Sequence, residues 1–299
     1  GRMSLWVSFT LAAAALQTVR FMLQKQLTGA GLSTGGATFS RFLFAAPIAC
    51  GLAAAGLVAT GSGLPAPGAG FWGWVALGGL CQIVATFLTV ALFSMRNFAV
   101  GVAFTKTETV QVAAFSALML GEAVSPLGWA AIVIGLAGVL LLSKAPDAGA
   151  PVLGRATLYG TLAGGLFGLS AIGYRGATLA LEPLPFLLRA LLALGAATVL
   201  QTAAMGAWLS WREPGEIGRV LARWRKTLLV GLTGSLGSLG WFAAFSLENA
   251  AHVRALGQVE IVFTLIAAAA VFGERLHLRE AAGIALVIAS VVAIVLGFG

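Results

Sequence analysis

The chain has 299 residues, of which 59% are hydrophobic and 40 more are glycine, against 18 basic and 10 acidic side chains. A soluble domain carries about 25% charged residues, so a charged share of 9% leaves too little polarity for a water-facing surface. The net charge of +8 gathers on no contiguous basic face, which argues against a nucleic-acid partner and reads as loop and site charge.

Charged residues and Pro/Gly clusters divide the chain into ten apolar stretches, each near the ~20 residues that cross a bilayer. They are 5–27, 34–59, 71–95, 99–120, 126–143, 154–179, 184–210, 227–247, 252–272 and 278–298. The first runs from Leu5 through Gln17 and Arg20 to Leu27 without a small-residue cleavage site, so it reads as a retained helix and not a signal peptide. Most connections are short, such as Gly121–Ser125 and Glu182–Pro183, but Gly61–Gly70 and the charged Trp211–Lys226 are longer. In the latter, Ile217, Val220, Leu221 and Trp224 share a helical face, which predicts a segment lying along the membrane surface. Cys50 and Cys81 lie inside apolar runs without metal or CxxC spacing and are expected as buried thiols.

Sliding the chain on itself reveals a repeat. At an offset of 152, Phe93–Leu142 aligns without a gap onto Phe245–Ile294, with 14 of 50 positions identical. Asn97/Asn249, Glu108/Glu260 and Gly121-Glu122/Gly273-Glu274 are the telling matches, because these residues are scarce here. Arg20 against Arg175 and Arg41 against Arg189 extend the correspondence more loosely. The expected architecture is an all-α membrane protein of ten transmembrane helices, in two five-helix repeats over residues 1–146 and 147–299. Five crossings are an odd number, so the second repeat enters from the opposite face and the two are inverted, a common build for secondary transporters.

Ten helices in two repeats, each fourth helix ending in Gly-Glu before a short turn (LMLGEAVSPLGW and AVFGERLHLREA), resemble the EamA family of the drug/metabolite transporter superfamily over nearly the whole chain. The resemblance implies a multi-pass protein of the inner (plasma) membrane, similar to YddG-like amino-acid exporters. It further implies a secondary transporter that exports aromatic or other neutral amino acids, or similar small metabolites, by alternating access through a midplane cavity.

Ionisable groups at membrane depth are costly and default to functional candidates. Lys106 and Glu108 in the fourth stretch stand opposite Gln258 and Glu260 in the ninth. In a regular helix Lys106 is rotated about 200° from Glu108, so the two reach different partners or the helix breaks there. These four are candidates for binding the charged ends of a polar substrate; the competing reading is ion pairing that holds the bundle together, with Arg20 or Arg175 as partners. A buried Glu108 or Glu260 is also a candidate proton carrier. Arg20, on one face with Gln17 and Gln24, and Arg175 each suit a carboxylate, or snorkel to the interface. Gln82 and Trp241, the latter beside the ridge Gly231, Gly234, Gly237 and Gly240, complete the candidate lining. Glu122 and Glu274 read as helix-end acids, and Asn97 and Asn249 as N-caps.

Two alternatives stand beside amino-acid export. In organic-cation or multidrug efflux, Glu108 and Glu260 bind the positive charge and the deep Lys and Arg are unhelpful. A passive channel or membrane-embedded enzyme is the other class, but with one Asp (Asp147), two separated His and no Walker loop the chain offers no metal, phosphate or ATP site. No metal or other cofactor is expected. The expected partners are a small-molecule substrate and the lipid bilayer, and a monomer suffices because one chain holds both repeats. With alternating loops, the side of the termini holds three basic loop residues (Arg2, Arg189, Arg254) and the other side twelve. The positive-inside rule then places both termini outside the cytoplasm, whereas the resemblance implies both inside.

Overall fold

The computed structural model describes residues 2–95, 98, 101–102, 105–109, 111–112, 115, 118, 125–143, 155–275 and 277–297. Its first half holds α1 (Arg2–Gly29), α2 (Thr34–Leu43), α3 (Ala45–Thr60), α4 (Ala69–Leu92), a 3₁₀ turn at Thr105–Thr107 and α5 (Pro126–Ser143). The second holds α6 (Arg155–Leu179), α7 (Phe186–Arg212), the short α8 (Glu216–Ala222), α9 (Trp224–Leu247), α10 (Ala250–Leu256), a 3₁₀ turn at Gly257–Val259, α11 (Glu260–Phe272) and α12 (Leu278–Gly297).

Six stretches among the described residues are long and apolar enough to cross a membrane: Leu5–Gly29, Thr34–Thr60, Ala69–Leu92, Phe186–Arg212, Trp224–Leu247 and Ala250–Phe272. They match six of the ten expected spans. α5 and α12 carry shorter apolar segments, Pro126–Gly138 and Ala281–Ser290. α6 has the length, 25 residues, but its Arg155, Tyr159, Ser170, Tyr174 and Arg175 dilute its apolar character. Half of the expected span 99–120 falls outside the described residues. The second span is one crossing broken at Phe44, because Pro47 has no N–H to return to the carbonyl of Leu43.

The halves do not form separate units. α1 packs on α9, α4 on α6, α3 on α7 and α5 on α12, so each of these pairings joins residues 1–146 to residues 147–299. The largest buried cluster lies where these pairs meet, around Tyr174, Leu194, Trp241, Phe242 and Phe245. Outward-facing side chains are apolar, among them Leu80, Val84, Val133, Val199 and Leu232, as a surface against lipid tails requires. Cys50 lies on that exposed surface and Cys81 is half-buried, so neither thiol is as enclosed as its apolar run predicts; an outward helix face in lipid is as apolar as a core. Arg41, Arg189 and Arg254 are buried and leave the loop tally, which sharpens the charge bias against the side of the termini.

The charged connection is held to the bundle by its first acid. The connection buries Val220 of α8 and leaves Leu221 and, at the start of α9, Trp224 exposed, while the Glu216 carboxylate caps the start of α2 by accepting the Ser33 N–H at 2.7 Å and pairing with Arg219. Burial alone would raise the Glu216 carboxyl, but the Ser33 and Arg219 bonds outweigh it and hold the group below its ordinary 4.5. The contact thus contributes in full above that ordinary value and is lost as pH falls from there through the folded value. Glu216→Gln is expected to speed exchange of the Ser33 amide at pH 7 about tenfold, the worth of a charge-assisted bond; an unchanged rate would show that the carboxylate does not hold this turn.

Candidate functional site

Both 3₁₀ turns interrupt helices within apolar stretches, and under the 152-residue offset Thr105–Thr107 falls on Gly257–Val259. Changing the residues per turn there re-aims the side chains that follow, as interrupted helices do at binding sites. Lys106 and Glu108 accordingly point to different partners, both on the second half. Lys106 Nζ pairs with Glu260 Oε2, and Glu108 Oε1 pairs with Arg254 Nη2. All four side chains are buried. Each glutamate of the repeat thus takes a cation from the opposite half. Removing one member of such a buried pair costs about 3–5 kcal/mol, because the other is left charged in a low-dielectric interior.

Polar side chains from α1 and α9 extend the cluster. Gln17 donates Nε2–H to Glu260 Oε2 at 2.8 Å and accepts from Trp241 Nε1 at 3.1 Å. The Arg254 guanidinium lies 4.4 Å over the Trp241 ring. That ring is wedged against the second 3₁₀ turn, where a Cβ on Gly257 would stand 2.6 Å from it; only glycine leaves room. Gln258 donates to Thr109 Oγ1 at 2.5 Å, a further polar contact between the halves. On the other flank Tyr174 donates to Gln82 Oε1 at 2.6 Å, and Gln201 donates to the same oxygen at 2.8 Å.

Between these groups lies a cavity of about 20 Å³, room for about one water. Gln17, Gln82, Ser238 and Arg254 form its polar wall, and Trp241, Phe242 and Phe245 its aromatic wall. Glu108 Oε2, Glu260 Oε1 and Arg20 Nη2 are buried without a hydrogen-bond partner among the described residues, a concentration of unmet polar atoms foreign to an ordinary helix-packing core.

Seven of the eight sequence candidates, Lys106, Glu108, Gln258, Glu260, Arg20, Gln82 and Trp241, are buried around this centre. Arg20 is buried and bonds Gln24 Oε1 at 3.0 Å, so it does not snorkel, and it pairs directly with no glutamate among the described residues. Arg175 stands apart, half-buried, donating to the Phe245 carbonyl at 2.5 Å with its charge beside Glu248. Arg254, Arg41, Tyr174 and Gln201 are central but absent from the sequence candidates. Arg254 falls at the start of its stretch and counts as a loop charge, although its i, i+4 spacing to Gln258 on an apolar helix is the signal that finds it.

Of the helix-end acids, Glu274 does more than close its own turn. Its N–H donates to the Ala268 carbonyl at 3.0 Å, while its carboxylate pairs with Lys25 at 3.2 Å and accepts the Phe98 N–H at 2.9 Å. It therefore ties the end of α11 to α1 and to the segment after α4. Asn249 caps α10 by accepting from Ala251 N–H at 2.7 Å. Glu122 and Asn97 lie outside the described residues.

The family model described as "EamA-like transporter family" matches residues 155–296. No curated protein matches the chain. A solved structure described as "Crystal structure of protein" covers 97% of this chain and 98% of its own at a TM-score of 0.64 and 19% identity, a likeness of fold.

Proposed function

We propose, since this chain belongs to the EamA-like transporter family by its match over residues 155–296, that it is a secondary transporter exporting small carboxylate-bearing metabolites, amino acids among them, across the inner (plasma) membrane. The observation that carries this reading is the pair of buried ion pairs, Lys106–Glu260 and Glu108–Arg254, which cross between the halves beside the cavity. A substrate carboxylate reaching Arg254 from that cavity competes with Glu108, loosens one of the ties between halves, and so couples binding to their relative movement. The matching 3₁₀ turns and the pairing of α1 with α9 and α4 with α6 support two inverted repeats that exchange roles in alternating access. Organic-cation efflux needs a carboxylate free to receive the cation, and both glutamates already hold one.

The test is uptake and counterflow in proteoliposomes, with and without a proton gradient, using radiolabelled amino acids and their 2-oxo analogues. Saturable flux with counterflow is expected for the protein and its loss for Glu260→Gln. Single-channel currents without counterflow of any solute would instead make the protein a channel.

A further inference from the structure

Among the described residues, four buried basic groups surround the site but only two have carboxylates. Lys106 takes Glu260 and Arg254 takes Glu108. Arg20 and Arg41 are both buried, and neither contacts a carboxylate among the described residues. Arg20 bonds the neutral Gln24 and lies 4.1 Å over Phe21, and its Nη2 is unpartnered. Among the described residues Arg41 bonds only hydroxyls, Thr86 Oγ1 at 2.8 Å and Ser238 Oγ at 3.4 Å.

The two arginines straddle one position on α9. A Cβ at Gly234 would stand 3.2 Å from Arg41 Cγ and 3.3 Å from Arg20 Cδ, so the side chains converge where that glycine leaves space. They repel each other, and Glu260, the carboxylate whose field reaches Arg20, is already bonded by Lys106 and Gln17. Ser235 Oγ, on the next residue, is also buried and unpartnered. A closed seam lined by Arg41, Gln82 and Ser238, without room for a water, shares the last two with the aromatic-walled cavity. The repeat partner of Arg41, Arg189, does have an acid, Glu182 at 2.9 Å, so the excess charge is peculiar to the Arg20–Arg41 side.

We propose that Arg20 and Arg41 form an anion subsite and that the solute carried has net negative charge, an aromatic or similarly apolar carboxylate without an ammonium group. Two like charges held side by side at membrane depth are compensated when an anion enters. A zwitterion leaves the sum unchanged, and its ammonium has to compete with Lys106 or Arg254 for a glutamate. The inference rests on the transporter reading above and narrows its substrate class.

Three probes with one ring separate the charges: phenylethylammonium, phenylalanine and phenylpyruvate, each used for counterflow in proteoliposomes of the intact chain. Phenylpyruvate is expected to be carried with at least about tenfold higher apparent affinity than phenylalanine, and Arg41→Gln to remove that preference, given the cost of truncating one side of a buried charge contact. Arg41→Lys should keep part of it. The wild-type ranking decides the matter even if a variant fails to fold. Phenylalanine or phenylethylammonium carried as well as phenylpyruvate would overturn the anion subsite and leave the transporter standing. Counterflow of other solutes but none of these three would do the same, whereas counterflow of no solute would remove the transporter reading itself.

Discussion

Glu260→Gln is expected to destabilise the protein by about 3 kcal/mol and to abolish transport, for two separable reasons. The first is electrostatic: Lys106 and Glu260 are both buried, and taking the carboxylate away leaves an ammonium without its counter-charge, which costs about 3–5 kcal/mol. The glutamine amide still offers an oxygen to Lys106 and Gln17, which places the loss at the lower end. The second is mechanistic: the pair ties one half to the other and is a contact that a change of access must remake. The double variant Lys106→Met/Glu260→Met separates them. With both charges removed, most of the stability should return, because replacing a buried pair by apolar groups is often neutral or better, while uptake stays absent. Thermal unfolding in detergent and proteoliposome uptake on the same preparations provide both readouts. A double variant that transports like the wild type would reduce the pair to a bundle fastener and remove it from the site. Glu108→Gln, which leaves Arg254 uncompensated over Trp241, is expected to parallel Glu260→Gln.

The sequence made legible what depends on local pattern. The Asn249 cap and the Gly273 helix end follow from residues adjacent to the bonds they make, and the recurrence of Glu108 as Glu260 marked the centre because an acid repeated in so apolar a chain has few explanations. The polar face Gln17, Arg20, Gln24 was readable for the same reason, and all three are buried. What escaped is what depends on a partner from the other half. Arg254 and Arg41 sit near the edges of their apolar stretches, where a basic residue ordinarily marks a loop, and only packing against Glu108 or Ser238 draws them inward. A break at Lys106–Glu108 was one of two readings left open, but the matching turn at Gly257–Val259 escaped, because a brief tightening leaves the apolar pattern intact while changing the direction of each side chain beyond it. Tyr174 and Gln201 were silent for another reason. A Tyr or Gln alone in an apolar helix has many possible partners, and the sequence does not say that Gln82 is the one they share.

Gly173→Val is expected to separate α4 from α6 and lower stability by about 3 kcal/mol or more, with Gly173→Ala about 1–3 kcal/mol less stable than wild type. A Cβ at Gly173 would stand 2.6 Å from Gly78 N, 2.7 Å from Gly78 Cα and 2.9 Å from Trp74 O. All three are backbone atoms, so no side-chain rotation relieves the contact and the helices themselves must part. Between helices in lipid there is no hydrophobic driving force to hold them once close packing is lost. The effect also reaches the cavity, because Tyr174 is the next residue and its hydroxyl holds Gln82, while Gln201 holds the Gly79 carbonyl at 3.1 Å from the other side. Moving α6 outward pulls this network apart, so transport should fall further than the stability loss alone explains. Gly73→Ala on the facing helix α4 is the control: nothing lies within 4 Å of a Cβ there, and alanine is the better helix former by about 1 kcal/mol, so that variant should be unchanged or slightly more stable. A Gly173→Val protein with the melting temperature and uptake of the wild type would mean that α4 and α6 do not approach backbone to backbone, and the Tyr174–Gln82–Gln201 wall of the cavity would lose the packing that positions it.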